Sequence, residues 1–202
     1  APAAFVWRYS PYSFSSDYYT KILGAARENF TREISFPSKD QDVSLAKALL
    51  HVGTEDEAFL ALNREIDKRY FLEEHGDVEG RRGGGEPASD GEKNVEGWLQ
   101  ELDSLAGEAE GELVSRDIGC HTGGEIIEAV NKVLFESRGF KRSTVPLDPK
   151  CSYLHSALRY GLASAIMLSV IYIEVCRRLR LTIVGSRVGE EFLIWPSTGN
   201  PE

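Results

Sequence analysis

Residues 163–179, Ala-Ser-Ala-Ile-Met-Leu-Ser-Val-Ile-Tyr-Ile-Glu-Val-Cys-Arg-Arg-Leu, constrain this chain more than any other segment. Ile166, Leu168, Val170, Ile171, Ile173 and Val175 leave a helix here with no polar face before Arg177 and Arg178. A helix apolar on nearly every side is either a core helix or a membrane span. The apolar run extends from Leu162 to Val175 and contains Ser164, Ser169 and Glu174, whereas a bilayer span needs about 20 residues. The segment therefore predicts a central buried helix, and the rest of the chain has to wrap it.

The wrapping material is visible on both sides. Residues 18–30 read as a short helix. A second begins near residue 45, with Asp42 or Ser44 as N-cap, and continues through Ala58, Leu62 and Ile66 at helical spacing, with a break expected near Gly53. Val95, Trp98, Leu99, Leu102 and Leu105 recur in steps of three and four, which predicts an amphipathic helix that buries Trp98. Residues 125–137 predict another, stopped by Gly139, and helical spacing resumes from Cys151 until Gly161. Residues 181–185 and 191–195 are β-branched or aromatic and suit two strands joined through Gly189, with Pro196 ending the second. The expected fold class is α+β, mostly helical, with N-terminal helices and a small antiparallel sheet at the C-terminal end.

Two segments stand apart. Residues 1–17 form an aromatic arm carrying Phe5, Trp7, Tyr9, Tyr12 and Phe14 with Arg8 as its one cation, which suits packing on protein better than stacking on nucleic acid. Residues 73–93 hold six glycines and Val78 as the one large apolar residue, so a solvated loop is expected there. Its Gly83-Gly84-Gly85 run lacks the Lys-Ser/Thr of a phosphate loop. The domain plan is thus an arm (1–17), N-terminal helices (18–72), an acidic Gly-rich loop (73–93), a helical and small-sheet core (94–196) and a tail (197–202).

Charge narrows the function classes. With 23 Lys+Arg against 32 Asp+Glu the net charge is −9, and sequence-independent binding to nucleic acid or to an anionic bilayer is disfavoured. The expected class is a soluble, acidic globular protein without a transmembrane segment. Three cysteines, Cys120, Cys151 and Cys176, cannot pair completely and show no CxxC spacing, so neither a disulfide framework nor a zinc ribbon is expected. No metal site and no cofactor is expected: Cys120-His121 lacks further ligands at zinc spacing, and no EF-hand pattern is present. Cys176, inside the apolar helix, reads as a packing residue. Cys151, at an expected helix start with His155 one turn along the same face, is the best Cys/His pair in the chain.

Three ordered blocks carry a family resemblance. They are Asn131-Lys-Val-Leu-Phe-Glu-Ser-Arg-Gly-Phe140, Leu147-Asp-Pro-Lys-Cys-Ser-Tyr-Leu-His155 and Leu168-Ser-Val-Ile-Tyr-Ile-Glu-Val-Cys-Arg-Arg-Leu179. Together they resemble the SirB-type transglutaminase-like family from about Asn131 to Ile194, with a weaker echo at residues 45–63. The resemblance implies a transglutaminase-like, papain-like core. There, a nucleophilic Cys heads the buried helix, with its His on the adjacent strand. The Gly-rich acidic insertion between the helices is a feature of this chain and not of the family pattern.

The chemistry implied by the resemblance is not retained residue by residue. The nucleophile position falls at Ala165, Ile166 and Met167, and where the family pattern shows Pro-Gly-His-Phe-Leu this chain reads Val188-Gly-Glu190-Glu191-Phe192-Leu193. No His occurs after His155. The expectation is a non-catalytic transglutaminase-like domain that holds a protein partner as an adaptor or assembly module. Contacts are expected through Trp7, Tyr9 and Tyr12 of the arm and through Val188 and Phe192. Relatives in plants are plastid proteins, so the resemblance also implies a chloroplast address, stroma rather than membrane. The competing reading is a thiol-dependent hydrolase or acyltransferase using Cys151 and His155.

Overall fold

A computed structural model of the chain describes residues 13–37, 43–75, 94–115, 122–144, 149–189 and 191–197. Most of the arm, most of the Gly-rich segment, the Cys120-His121 pair, Glu190 and residues 198–202 lie outside the described residues. Within them the fold is mostly helical, with a small antiparallel sheet near the C-terminal end. No described helix is long and apolar enough to cross a membrane.

The first two helices, α1 (Ser13–Ser35) and α2 (Leu45–His75), form a hairpin. Ser44 caps α2, its hydroxyl accepting from the Lys47 N–H at 3.3 Å, while the Glu33 carboxylate accepts from the Ser44 N–H at 2.9 Å. Arg27 of α1 donates to Glu55 of α2 at 2.6 Å. Two expectations are corrected here. Helix α1 starts at Ser13, inside the expected arm, and α2 runs unbroken past Gly53 to His75. Gly53 is buried against another helix rather than marking a break.

The core is built from α3 (Val95–Val114), α4 (Gly123–Asn131) and α6 (Ala165–Arg178). Asn94 caps α3 through its side-chain oxygen, 2.9 Å from the Gly97 N–H. Thr122 and Glu125 close a reciprocal capping box on α4, which starts that helix two residues earlier than its apolar spacing predicts. Helix α4 continues as a π-helical turn over Lys132–Ser137 and ends where Gly139 takes φ +68°. Trp98, Leu102, Leu105 and Leu113 of α3 meet Val130, Val133, Ile171, Val175 and Cys176, all buried. Helix α6 is thus the expected buried helix, although Ile166 in its first turn stays half exposed.

A short parallel pair, β1 (Lys141–Arg142) with β2 (Leu162–Ala163), ties the end of the π turn to the chain entering α6. Between them lie a 3-10 turn (Pro149–Ser152) and α5 (Leu154–Tyr160), closed by Gly161 at φ +68°. After α6 the antiparallel hairpin β3 (Ile183–Val188) and β4 (Glu191–Pro196) turns at Gly189, φ +63°. Its inner face presents Ile183, Ile194 and Phe192 to the protein. Its outer face carries Val184, Val188, Leu193 and Trp195 largely in the open.

Candidate functional site

Ser164 caps the head of α6. Ser164 is extended, at φ −65° and ψ 160°, and its hydroxyl accepts from the Met167 N–H at 3.3 Å, satisfying one orphan donor of the first turn. Ala165 is half-buried, Ile166 exposed and Met167 buried. None of the three offers a nucleophile. The Cys151 carbonyl accepts from the Ser164 N–H at 2.8 Å, so the 3-10 turn carrying Cys151 is docked on this helix head.

His155 lies elsewhere in role. Tyr153, at φ −103° and ψ 133°, separates the 3-10 turn from α5, so Cys151 and His155 do not share one helix face. This corrects the expected one-turn pairing, and His155 is buried. Its Nε2 lies 3.0 Å from the Glu57 carboxylate of α2. The ring stacks with Tyr153 at 5.7 Å and packs at 6.4 Å from Trp98, over which the Arg159 guanidinium sits at 5.4 Å. Burial and the Asp56 carboxylate that it hydrogen-bonds hold the Tyr153 hydroxyl above its ordinary 10. Gly53, Asp56 and Glu57 thus receive α5 on one side of α2. The imidazole joins two helices instead of facing a thiol.

The remaining thiol of the core is inert. Cys176 is fully buried, and desolvation pushes it up to about 12. Two residues earlier the helix holds Glu174, also buried, whose carboxylate accepts from Arg177 at 2.9 Å and from Arg178 at 2.7 Å; Arg178 reaches on to Asp103 at 2.5 Å. Sequence reading placed the two arginines at the solvent end of the helix and missed that they neutralise a carboxylate inside it.

A family model described as the transglutaminase-like superfamily matches residues 96–202, just over half of the chain. The chain belongs to the transglutaminase-like superfamily. No curated protein and no solved structure matches it. In this transglutaminase-like domain the matched part begins inside α3 and takes in α4, α5, α6 and both strand pairs, whereas the α1–α2 hairpin precedes it.

Of the other expected site residues, Trp7, Tyr9, Tyr12 and Glu190 lie outside the described residues. Glu191 is exposed at the start of β4, paired with Val188, which is also exposed. Phe192 is half-buried, its ring lying over Gly185, where a Cβ would come 2.8 Å from Cε1. Phe192 therefore serves the hairpin itself. Sequence reasoning missed a groove of about 320 Å³ between the π turn, α6 and the hairpin, reached by Phe135, Tyr172 and Trp195. Phe135 and Tyr172 stack at 6.4 Å and 18°, and burial pushes the Tyr172 hydroxyl up to about 12. Separately from the groove, the outer face of the hairpin exposes Val184, Val188, Leu193 and Trp195 where a solvated face is normally polar.

Proposed function

We propose that this chain is a non-catalytic transglutaminase-like domain of the SirB type, on the papain-like plan, that holds a protein partner. The observation that carries this reading is the head of α6, where Ser164 spends its hydroxyl on the first turn and Ala165, Ile166 and Met167 follow without a nucleophile. The imidazole in reach of the neighbouring turn is committed to Glu57. The apolar outer face of β3–β4 supports the partner-holding half, because contiguous exposed apolar surface marks interaction sites. The aromatic arm with Trp7, Tyr9 and Tyr12 is a second contact surface under the same reading. A plastid address follows from the resemblance to plastid relatives, and recovery of the native protein outside plastids on cell fractionation would overturn that part.

The test joins chemistry to capture. The intact chain is treated with an alkylating reagent across pH, and partner capture is compared between the wild-type and Cys151→Ser chains. Expected are thiols no faster than a peptide thiol and capture that survives the substitution. A fast Cys151, or capture lost with Cys151→Ser at unchanged Tm, would defeat the reading. One observation favours the second reading, a thiol-dependent hydrolase or acyltransferase: the Cys151 backbone is bonded to the α6 head through Ser164, the place where the superfamily puts its thiol. The same alkylation series decides between the two.

A further inference from the structure

Helix α2 outruns what packs on it. Up to Ala58 it buries Ala46, Ala48, Leu50, His51 and Gly53, whereas from residue 59 to residue 71 none of its described side chains is buried. Within that second stretch Phe59, Ile66 and Tyr70 follow one another at steps of seven and four, hence on one stripe, and they are 50%, 37% and 67% exposed. Glu55 stands one turn before Phe59 on the same stripe and accepts from Arg27 of α1. The stripe therefore runs along the flank of the α1–α2 hairpin marked by that ion pair, and beyond it turns from charged to apolar.

Hairpin register decides which segment joins the fold beside this stripe. Glu33 reaches Ser44 and Lys47, and Arg27 reaches Glu55, so the two helices run antiparallel almost residue for residue. Ser13 stands about 21 Å before Arg27 along α1, and the same distance beyond Glu55 along α2 ends near residue 69, next to Tyr70. The aromatic arm thus enters α1 at the far end of the stripe. Its Phe5, Trp7 and Tyr9 alternate with Val6 and Arg8, so extended backbone puts three aromatic rings on one face and the cation on the other. Pro11 disfavours helical backbone at Ser10, which keeps α1 from continuing back through the arm. Extended, the arm covers about 23 Å from Phe5 to Tyr12, against about 17 Å along α2 from Phe59 to Tyr70. The segment at the other end of α2, residues 76–93, has Val78 as its one large apolar residue and is too polar to cover the stripe.

We infer that the aromatic arm of this same chain folds back along α2 and occupies the stripe, Tyr12 beside Tyr70 and the Phe5, Trp7 and Tyr9 face against Ile66 and Phe59. Length, point of entry and one-sided aromatic pattern all match that course, and the rings bring apolar area to a surface that otherwise faces water. The inference goes beyond the partner-holding reading and does not rest on it. Under that reading, a partner that uses Trp7 or Tyr9 has to compete with α2 for them.

Trypsin supplies the test, because it cuts after Arg8 in the middle of the arm. Release of residues 1–8 from the intact chain is followed by mass and compared with cleavage of a synthetic peptide of residues 1–13, each arm variant being matched to a peptide with the same substitution. Cleavage tracks the undocked population, so the intact chain should be cut about ten-fold or more slowly than the peptide. Ile66→Ser and Trp7→Ser should each remove most of that protection, and the two together should remove no more than either alone. Leu193→Ser, at an equally exposed apolar position on the β3–β4 hairpin, should leave it intact. Cleavage as fast as in the peptide, protection unmoved by Ile66→Ser, or protection lost equally with Leu193→Ser would each overturn the inference. So would protection that sets in only as protein concentration rises, the mark of a second copy on the stripe.

Discussion

The imidazole of His155 occupies the space that a side chain on Gly53 would need: a Cβ there would press on Nδ1 and lie 2.7 Å from Cε1. Glycine at this point of α2 is what lets α5 approach closely enough for the His155 to Glu57 bond. In an exposed helix interior Gly→Ala gains about 1 kcal/mol. Here the added methyl meets a ring fixed by Glu57, Tyr153 and Trp98, and overpacking costs about 1–3 kcal/mol. Gly53→Ala should therefore lower the urea midpoint, and in a His155→Ala background the same change should raise it. A gain in both backgrounds would show that the close approach carries no energetic weight.

That pair also shows where sequence reading succeeds and fails. The all-round apolar pattern of α6 and the three- and four-residue steps of α3 fix burial through local periodicity, and both helices form as expected. Gly53 reads locally as a helix breaker because its reason, the His155 ring, comes from a distant part of the chain. The β1–β2 pair is two residues long on each side, too short for any period to announce it. The π turn at Lys132–Ser137 continues an ordinary helical pattern and differs only in hydrogen bonding. At the candidate site, the absence of a nucleophile at residues 165–167 was legible from the blocks. The groove was not, because it joins the π turn to a strand edge.

Arg180 follows α6 at φ +62°, a left-handed conformation that costs a non-glycine residue about 1 kcal/mol. Its N–H bonds the Arg177 carbonyl at 3.0 Å and the Leu181 N–H bonds that of Cys176 at 2.9 Å, the Schellman arrangement, in which this position favours glycine. Arg180→Gly should raise stability by about 0.5–1 kcal/mol in thermal unfolding. A drop would mean that the arginine makes compensating contacts.

His51 gives the fold a pH dependence. Burial, with Lys47 nearby, holds its imidazole below the ordinary 6.5, and Glu33 opposes this only in part. The unfolded chain thus binds the proton more readily than the folded one. Stability from this group is complete above pH 6.5 and is lost as pH falls below 6.5 toward the depressed folded value. His51→Gln should flatten that stretch of the stability profile measured by denaturant midpoint. An unchanged slope would place the titration elsewhere.

Cys176 should report unfolding and nothing else. A thiol pushed up to about 12 and fully buried carries almost no thiolate at neutral pH. Its alkylation, followed by peptide mapping, should track the global unfolding equilibrium as urea is raised. Modification in the absence of denaturant at a rate near that of Cys in a peptide would show that local opening of α6 exposes it.

The head of α6 is a setting that favours a thiolate. A 14-residue helix presents unsatisfied N–H groups and the positive end of its dipole at Ala165, a half-buried residue, and such a setting lowers the pKa of a thiol from about 8.5. Ala165→Cys should accordingly give a thiol whose alkylation sets in at lower pH than that of a peptide thiol, while Cys176 stays silent. Nucleophilic turnover also needs a base. His155 lies 3.0 Å from Glu57 of α2, and Glu191 stands exposed at the start of β4. The engineered thiol should therefore be labelled readily yet release no product from ester or amide substrates. Labelling no easier than a peptide thiol would show that the helix head lacks the field the fold is expected to supply, and turnover would show that a base is within reach after all.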